Sequence, residues 1–163
     1  MVSIRPSKES DHDAIWEIFR EVIVAGETYP IDPEISREQA LAYWYKHSAL
    51  VCVAESESRI VGSYTLHENQ AGGGSHVANA AFIVTKPARA KGVGRAMGEH
   101  CLAEARRLGF KAMQFNFVVS TNPALKLWQD LGMKIVGALP DAFQHPTRGY
   151  VDVYVMFQSF EDA

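Results

Sequence analysis

The chain has 163 residues, 47% apolar and 21% charged, with 16 Lys and Arg against 19 Asp and Glu for a formal net charge of −3. That length fits one domain, since domains usually run about 100–200 residues, and it buries roughly 68–70% of the unfolded surface, enough for a core without a disulfide or metal staple. The charge lacks the basic excess of a nucleic-acid binder, and apolar runs such as Ala49 to Ala54 are far below the ~18 residues of a membrane span.

Neither nucleic acid nor membrane is therefore an expected partner. Cys52 and Cys101 stand in apolar or helical contexts with no CxxC and no Cys/His ligand spacing, so no metal is expected. Met1 leads directly into Val2-Ser3-Ile4-Arg5 without a basic leader and apolar region, and the expected compartment is the cytoplasm.

In chain order, Val2 to Arg5 reads as a strand. Ser10, Asp11 and Asp13 suit a helix N-terminus, and Ile15, Ile18, Phe19, Val22 and Ile23 recur at helical spacing, which predicts a helix over about 11–25 stopped by Gly26. Tyr29-Pro30 and Asp32-Pro33 are turn material. Ser36-Arg37-Glu38-Gln39 is a capping box opening a second helix that carries Leu41, Trp44 and Tyr45.

Leu50 to Ala54 and Ile60 to Leu66 read as a hairpin, followed by a flexible loop at Ala71 to Ser75. Val77 to Thr85 is nearly all apolar, as a central strand is. A helix runs from Gly92 through Ala96, Met97, Cys101, Leu102 and Ala105 to the Arg107-Leu108-Gly109 stop. Lys111 to Val119 is a strand, Asn122-Pro123 opens a short helix closed by Gly132, and Ile135 to Ala138 and Tyr150 to Phe157 are strands joined by a loop from Pro140 to Gly149. The order βααββ then βαβαββ predicts a mixed sheet in a single domain over residues 1–163, with a parallel strand–helix–strand unit inside it.

The chemistry concentrates between the central strand and the third helix, in Val84-Thr85-Lys86-Pro87-Ala88-Arg89-Ala90-Lys91-Gly92-Val93-Gly94-Arg95-Ala96. Glycines there let backbone N–H groups approach a ligand, and the helix end offers unpaired donors, so the turn suits a phosphate. It is not a Walker A loop. The dinucleotide fingerprint fails because Met97 stands at the third glycine and no acidic residue ends the next strand.

Arg89-x-x-Gly92-x-Gly94 after a strand resembles the acyl-CoA pyrophosphate signature of the GNAT superfamily of N-acetyltransferases. Asn122-x-Ala124-x-x-Leu127-Trp128 and Leu131-Gly132-Met133 resemble that family's second CoA-side motif, and the element order agrees. The resemblance implies an α/β (α+β) GNAT fold, a mixed and mostly antiparallel sheet of about seven strands, splayed at its central parallel pair and flanked by about four helices. It further implies acetyl-CoA as cosubstrate, with Ile83, Val84 and Thr85 beside the pantetheine and Lys91, Gly92, Val93, Gly94, Arg95 and Ala96 holding the pyrophosphate. Arg89 and Lys91 add charge, and Asn122 and Trp128 complete the cofactor side. Transfer is then direct, by amine attack in a ternary complex, without a covalent enzyme intermediate.

Asn79 and Asn116 lie inside strands, where Asn is depleted, and a buried amide without partners costs about 1–3 kcal/mol. Regular alternation places Asn116 on one face with Gln114 and Val118, and Phe115 and Phe117 on the other. Asn122 is explained by N-capping alone. Together Asn79, Asn116 and Asn122 resemble the arrangement in yeast N-acetyltransferases of proline analogues such as azetidine-2-carboxylate, which implies catalytic roles for all three and acceptor contacts for Asn79 and Asn116.

Two departures bear on mechanism. Trp128 stands where many family members carry a tyrosine acid, and an indole N–H is a very weak acid. Asn79-Ala80-Ala81 stands where many carry a carboxylate base, which leaves a water held by Asn79 and Asn116, or His76, Glu68 or Asp152. Thr28 and Tyr29 are the expected substrate contacts, with Trp44, Tyr45 and the His145 to Tyr150 loop as further candidates to close over the acceptor, although an aromatic at helical spacing is usually core and packing is the favoured reading of Trp44. The reading is an N-acetyltransferase for a small-molecule amine, an amino or imino acid, and a homodimer is possible. A CoA-binding sensor and a peptide N-terminal acetyltransferase are the alternatives.

Overall fold

The computed structural model describes residues 1–160. Its elements are β1 (Val2–Pro6), α1 (His12–Ala25), α2 (Arg37–Tyr45), β2 (Ser48–Ser56), β3 (Arg59–Glu68), β4 (Val77–Val84), α3 (Val93–Arg107), β5 (Ala112–Val119), α4 (Leu125–Asp130), β6 (Lys134–His145) and β7 (Gly149–Ser159). The strands form one sheet in the order β1-β2-β3-β4-β5-β7-β6. All pairs are antiparallel except β4–β5, so the expected mixed, mostly antiparallel sheet with four flanking helices is what forms.

Alternation along β2 explains the two cores. Val51 and Val53 point to one face, where Ile15, Phe19, Val22 and Trp44 of α1 and α2 cover them. Cys52 and Ala54 point to the other, against Tyr64, Met97, Cys101 and Ala105. Each buried Ile, Leu or Phe contributes roughly 1.5–3 kcal/mol of transfer free energy. Both thiols are buried, and burial pushes their ionisation upward, as suits core residues.

Local signals held where a backbone group demands one partner. Ser36 Oγ accepts from the Gln39 N–H and Gln39 Oε1 from the Ser36 N–H, both at 3.1 Å, completing the capping box. Asp11 stands at the helix N-terminus as expected, but its carboxylate serves the 3₁₀ turn that leads into α1, accepting the Lys8 N–H at 2.9 Å, and also takes the Arg5 guanidinium at 2.7 Å. The Ala71 to Ser75 segment is a 3₁₀ turn over Gly72–Gly74 rather than an unstructured loop.

The last hairpin departs most from expectation. β6 continues through Pro140 to His145, and the turn to β7 is short. Proline is tolerated because β6 is an edge strand and the register shifts between Leu139 and Phe143, where Asp141 adopts φ 52°. The Asp152 carboxylate secures this bulge by accepting the Asp141 N–H at 3.0 Å.

The fourth helix opens later than Asn122. Asn122 Oδ1 accepts the Ala124 N–H at 2.9 Å, forming a turn ahead of the helix, whose N-cap is Ala124. Gly98, one residue past the failed dinucleotide fingerprint, has a packing role instead. A Cβ there would stand 2.7 Å from Leu131 Cδ1 and 3.0 Å from Trp128 Cζ3, so its absence lets α3 and α4 touch.

Candidate active site

The central parallel pair separates almost at once. β4 and β5 are in register only at Val77 with Ala112 and Ala78 with Met113, and beyond that a wedge opens. Side chains occupy the backbone groups that a continuing partner strand would have used. Asn79 Oδ1 accepts the Ala80 N–H at 2.8 Å. The Tyr29 hydroxyl donates to the Phe82 carbonyl at 2.8 Å and accepts the Phe82 N–H at 3.0 Å. The Arg89 Nε donates to the Val84 carbonyl at 3.2 Å.

On the other wall β5 is bulged, its register with β7 shifting between Phe115 and Val118. This corrects the regular alternation expected along the strand. Phe115 and Val118 share one core cluster, whereas Phe117 packs with Val119, Phe143 and Val153 in another. Asn116 is left exposed at the bulge, accepting from Gln114 Nε2 at 2.8 Å and donating to Asn69 Oδ1 at 2.6 Å. Both strand asparagines thus have partners, and Asn116 is oriented by two other amides.

The wedge is a cavity of about 670 Å³ bounded by both strands, the α1–α2 connection, the turn before α3, and α4. It brings together the expected Thr28, Tyr29, Asn79, Asn116 and Asn122 with Ile83, Val84, Arg89, Gly92, Gly94, Arg95 and Trp128. Four expected cofactor residues do not border it. Thr85 donates from its hydroxyl to Glu21 at 3.2 Å, Val93 is buried, Lys91 is exposed outside the cavity wall, and Ala96 lies one turn along α3.

The turn before α3 fits an anion. Ala90 and Gly92 take φ values of 59° and 84°, the left-handed region that costs most residues roughly 1–2 kcal/mol. That winding brings Arg89 and the open N-terminus of α3 to the same end of the cavity. A Cβ on Gly92 would meet nothing within 4 Å, and one on Gly94 would first meet Leu127 Cδ2 at 3.4 Å, so both glycines leave backbone accessible from the cavity. Arg89 lies 3.7 Å from Glu21, and Arg95 lies 3.5 Å from Asp130 and 3.8 Å from Glu99.

Several acceptor-side expectations change. Tyr29 is half-buried and committed to Phe82, not exposed by its turn, and burial pushes its hydroxyl up to about 12. Trp44 is core, the placement its helical spacing favoured, donating to Ser63 Oγ at 3.1 Å, whereas Tyr45 turns to Ser7 and donates to its hydroxyl. Tyr43 borders the cavity in their place. His145 and Tyr150 stay outside it, as do His76, Glu68 and Asp152, the side chains weighed as bases, whereas Glu27 and His67 line it. Trp128 is 7% exposed, with its ring 4.7 Å from Phe82 and 5.2 Å from Phe115, so it forms cavity wall and core together. No sequence signal marked Tyr43 or His67, because each owes its place to helix phase or strand register.

Among the described residues no helix is long and apolar enough to cross a membrane, and no three His, Cys, Asp or Glu side chains are grouped to hold a metal.

Residues 12–133 match the acetyltransferase (GNAT) family model. The N-acetyltransferase aca1 of Schizosaccharomyces pombe is 34% identical over 162 residues, covering 86% of this chain and 78% of the yeast one. A GCN5-related N-acetyltransferase structure from Kribbella flavida superposes with a TM-score of 0.93 at 44% identity, covering 97% of each chain. The Salmonella typhimurium acetyltransferase YncA, solved with its cofactor acetyl-CoA, shares the fold at TM-score 0.88 and 21% identity, over 100% of this chain and 96% of that one. The splayed parallel pair, the Arg89 to Gly94 turn and these likenesses agree: the chain belongs to the GNAT family of acetyltransferases, enzymes that move an acetyl group from acetyl-CoA to an amine.

Proposed function

We propose that this protein acetylates the amine of a small molecule, an amino acid or imino acid, by direct attack on acetyl-CoA in a ternary complex. The observation that carries the reading is the single wedge cavity with two chemically different ends. At one end Arg89, Gly92, Gly94 and Arg95 are suited to the pyrophosphate, and Ile83 and Val84 run beside the route of the pantetheine arm. Away from that turn His67 and Asn79, paired across β3 and β4, line the cavity with Asn116 of β5, and with Thr28 and Tyr43 of the same lining they are the polar groups assigned to the acceptor.

The wedge keeps amine and thioester in one enclosure, which replaces a bimolecular encounter by a positioned one. No nucleophile on the protein is required, consistent with Cys52 and Cys101 lying in the core. Asn79, Asn116 and Asn122 are the amides assigned to acceptor placement and catalysis. Trp128 closes the wall without supplying an acid, and a departing thiol of ordinary pKa near 8.5 tolerates that.

Thiol release from acetyl-CoA, screened over amino acids, cyclic imino acids and short peptides, tests the reading. Imino acids belong in the screen because the three asparagines resemble those of the yeast proline-analogue enzymes. Turnover with a free amino or imino acid supports the proposal. Peptides outcompeting every free amine, or tight CoA binding without turnover on any amine, would overturn it.

A further inference from the structure

We infer that His67 is the general base that takes the proton from the acceptor ammonium. The inference rests on the acetyl-transfer reading above and supplies the base that the central strand lacks at Asn79-Ala80-Ala81. His67 lies on β3 directly across from Asn79 of β4, at the acceptor end of the cavity, and is half-buried.

Its tautomer follows from one hydrogen bond. The ring Nδ1 is 2.8 Å from the Glu68 carbonyl oxygen. A carbonyl only accepts, so Nδ1 carries the hydrogen and, in the neutral ring, Nε2 holds the lone pair. A backbone carbonyl that fixes the tautomer also steadies the imidazolium formed on protonation, as an orienting partner does for a catalytic base.

The other titratable groups on the cavity wall are poorer bases. Arg89 and Arg95 carry guanidinium groups, which donate hydrogen bonds and offer no acceptor for a proton. Tyr29 and Tyr43 are pushed upward by burial and stay protonated near neutrality. Glu27 is exposed, and a carboxylate is by its chemistry a weaker base toward an ammonium proton than a neutral imidazole. Glu68 follows His67 in the chain, and His47 precedes Ser48, the β2 partner of His67; neither borders the cavity.

The step balances without a further reactant. Nε2 takes one proton from the ammonium, and the freed nitrogen pair forms the C–N bond to the acetyl carbon. The C–S bond then breaks, its electron pair leaving on the CoA sulfur. The proton shed as the amide forms neutralises the thiolate, and the imidazolium returns its proton to water.

The His67→Asn variant keeps an amide donor for the Glu68 carbonyl and removes Nε2, so the test is its pH profile for an amine the wild type acetylates. Loss of about 10²-fold in kcat near neutral pH is expected, with CoA affinity retained, partial rescue by added imidazole, and recovery at alkaline pH where the amine is already neutral. An unchanged profile and kcat would overturn the inference while acetyl transfer stands. So would loss of the acidic limb in Glu27→Gln but not in His67→Asn. A wild type that binds CoA yet acetylates no amine overturns both readings.

Discussion

The Tyr29 hydroxyl holds both backbone polar groups of Phe82, donating at 2.8 Å to its carbonyl and accepting its N–H at 3.0 Å. One side chain from the α1–α2 connection thereby does on β4 what a paired strand does elsewhere in the sheet. The wedge stays open at Phe82 without leaving an unsatisfied amide.

Tyr29→Phe removes that oxygen and strands two backbone groups, at an expected cost of about 1–3 kcal/mol. The hydroxyl is pushed up to about 12, so it is protonated throughout the neutral range and the loss is flat with pH there. Denaturant midpoints of the two proteins check this. A variant as stable as the wild type would mean that solvent replaces the phenol at no cost.

Gly94→Asp places a carboxylate where the cavity meets the N-terminus of α3. A Cβ at this position has its nearest neighbour, Leu127 Cδ2, at 3.4 Å, so Gly94→Ala fits with a small adjustment and serves as the steric control. The Asp variant is expected to weaken CoA binding at least tenfold, about 1.4 kcal/mol, through repulsion of the pyrophosphate, and the Ala variant far less. Calorimetric titration of folded protein decides, and normal binding by the Asp variant would remove the phosphate assignment.

Much of this was readable in the residues because their signals are local. The capping box at Ser36 and the apolar spacing of α1 depend on contacts a few residues apart, and Arg89-x-x-Gly92-x-Gly94 is a turn whose conformation is set within itself. The rest depends on register. The β5 bulge sends Phe117 and Val118 to faces that regular alternation reverses. His67 gains meaning only from lying across from Asn79, and Tyr43 rather than Trp44 borders the cavity because of the phase at which α2 packs.

Asn116 illustrates both kinds of information. Its presence in a strand was conspicuous, but its orientation comes from Gln114 on the same strand and from Asn69 just beyond β3. Asn116→Ala is expected to lower kcat about tenfold or more, about 1.4 kcal/mol of transition-state stabilisation, with CoA affinity nearly retained because the cofactor turn is elsewhere. Asn69→Ala should show a weaker loss of the same kind, since it acts through Asn116. Steady-state and binding measurements on both variants separate these effects, and unchanged constants in Asn116→Ala would leave it a structural amide.

Far from the wedge, Asp11 gives the fold an acid-sensitive tie. Its side chain is 4% exposed and receives Arg5 at 2.7 Å, and that hydrogen bond holds its carboxyl below the usual range against the opposing effect of burial. The folded pKa is depressed, so the stabilisation is fully present above the unfolded value of about 3.9 and is lost as pH falls through the folded one. Asp11→Asn should therefore cost about 1–3 kcal/mol at pH 7, from lost charge-assisted hydrogen bonds, and the gap to wild type should close progressively below about pH 4. Paired denaturation curves across this range test it. A gap that stays constant into acid would show that Asp11 contributes through shape and neutral hydrogen bonding, with no share from its charge.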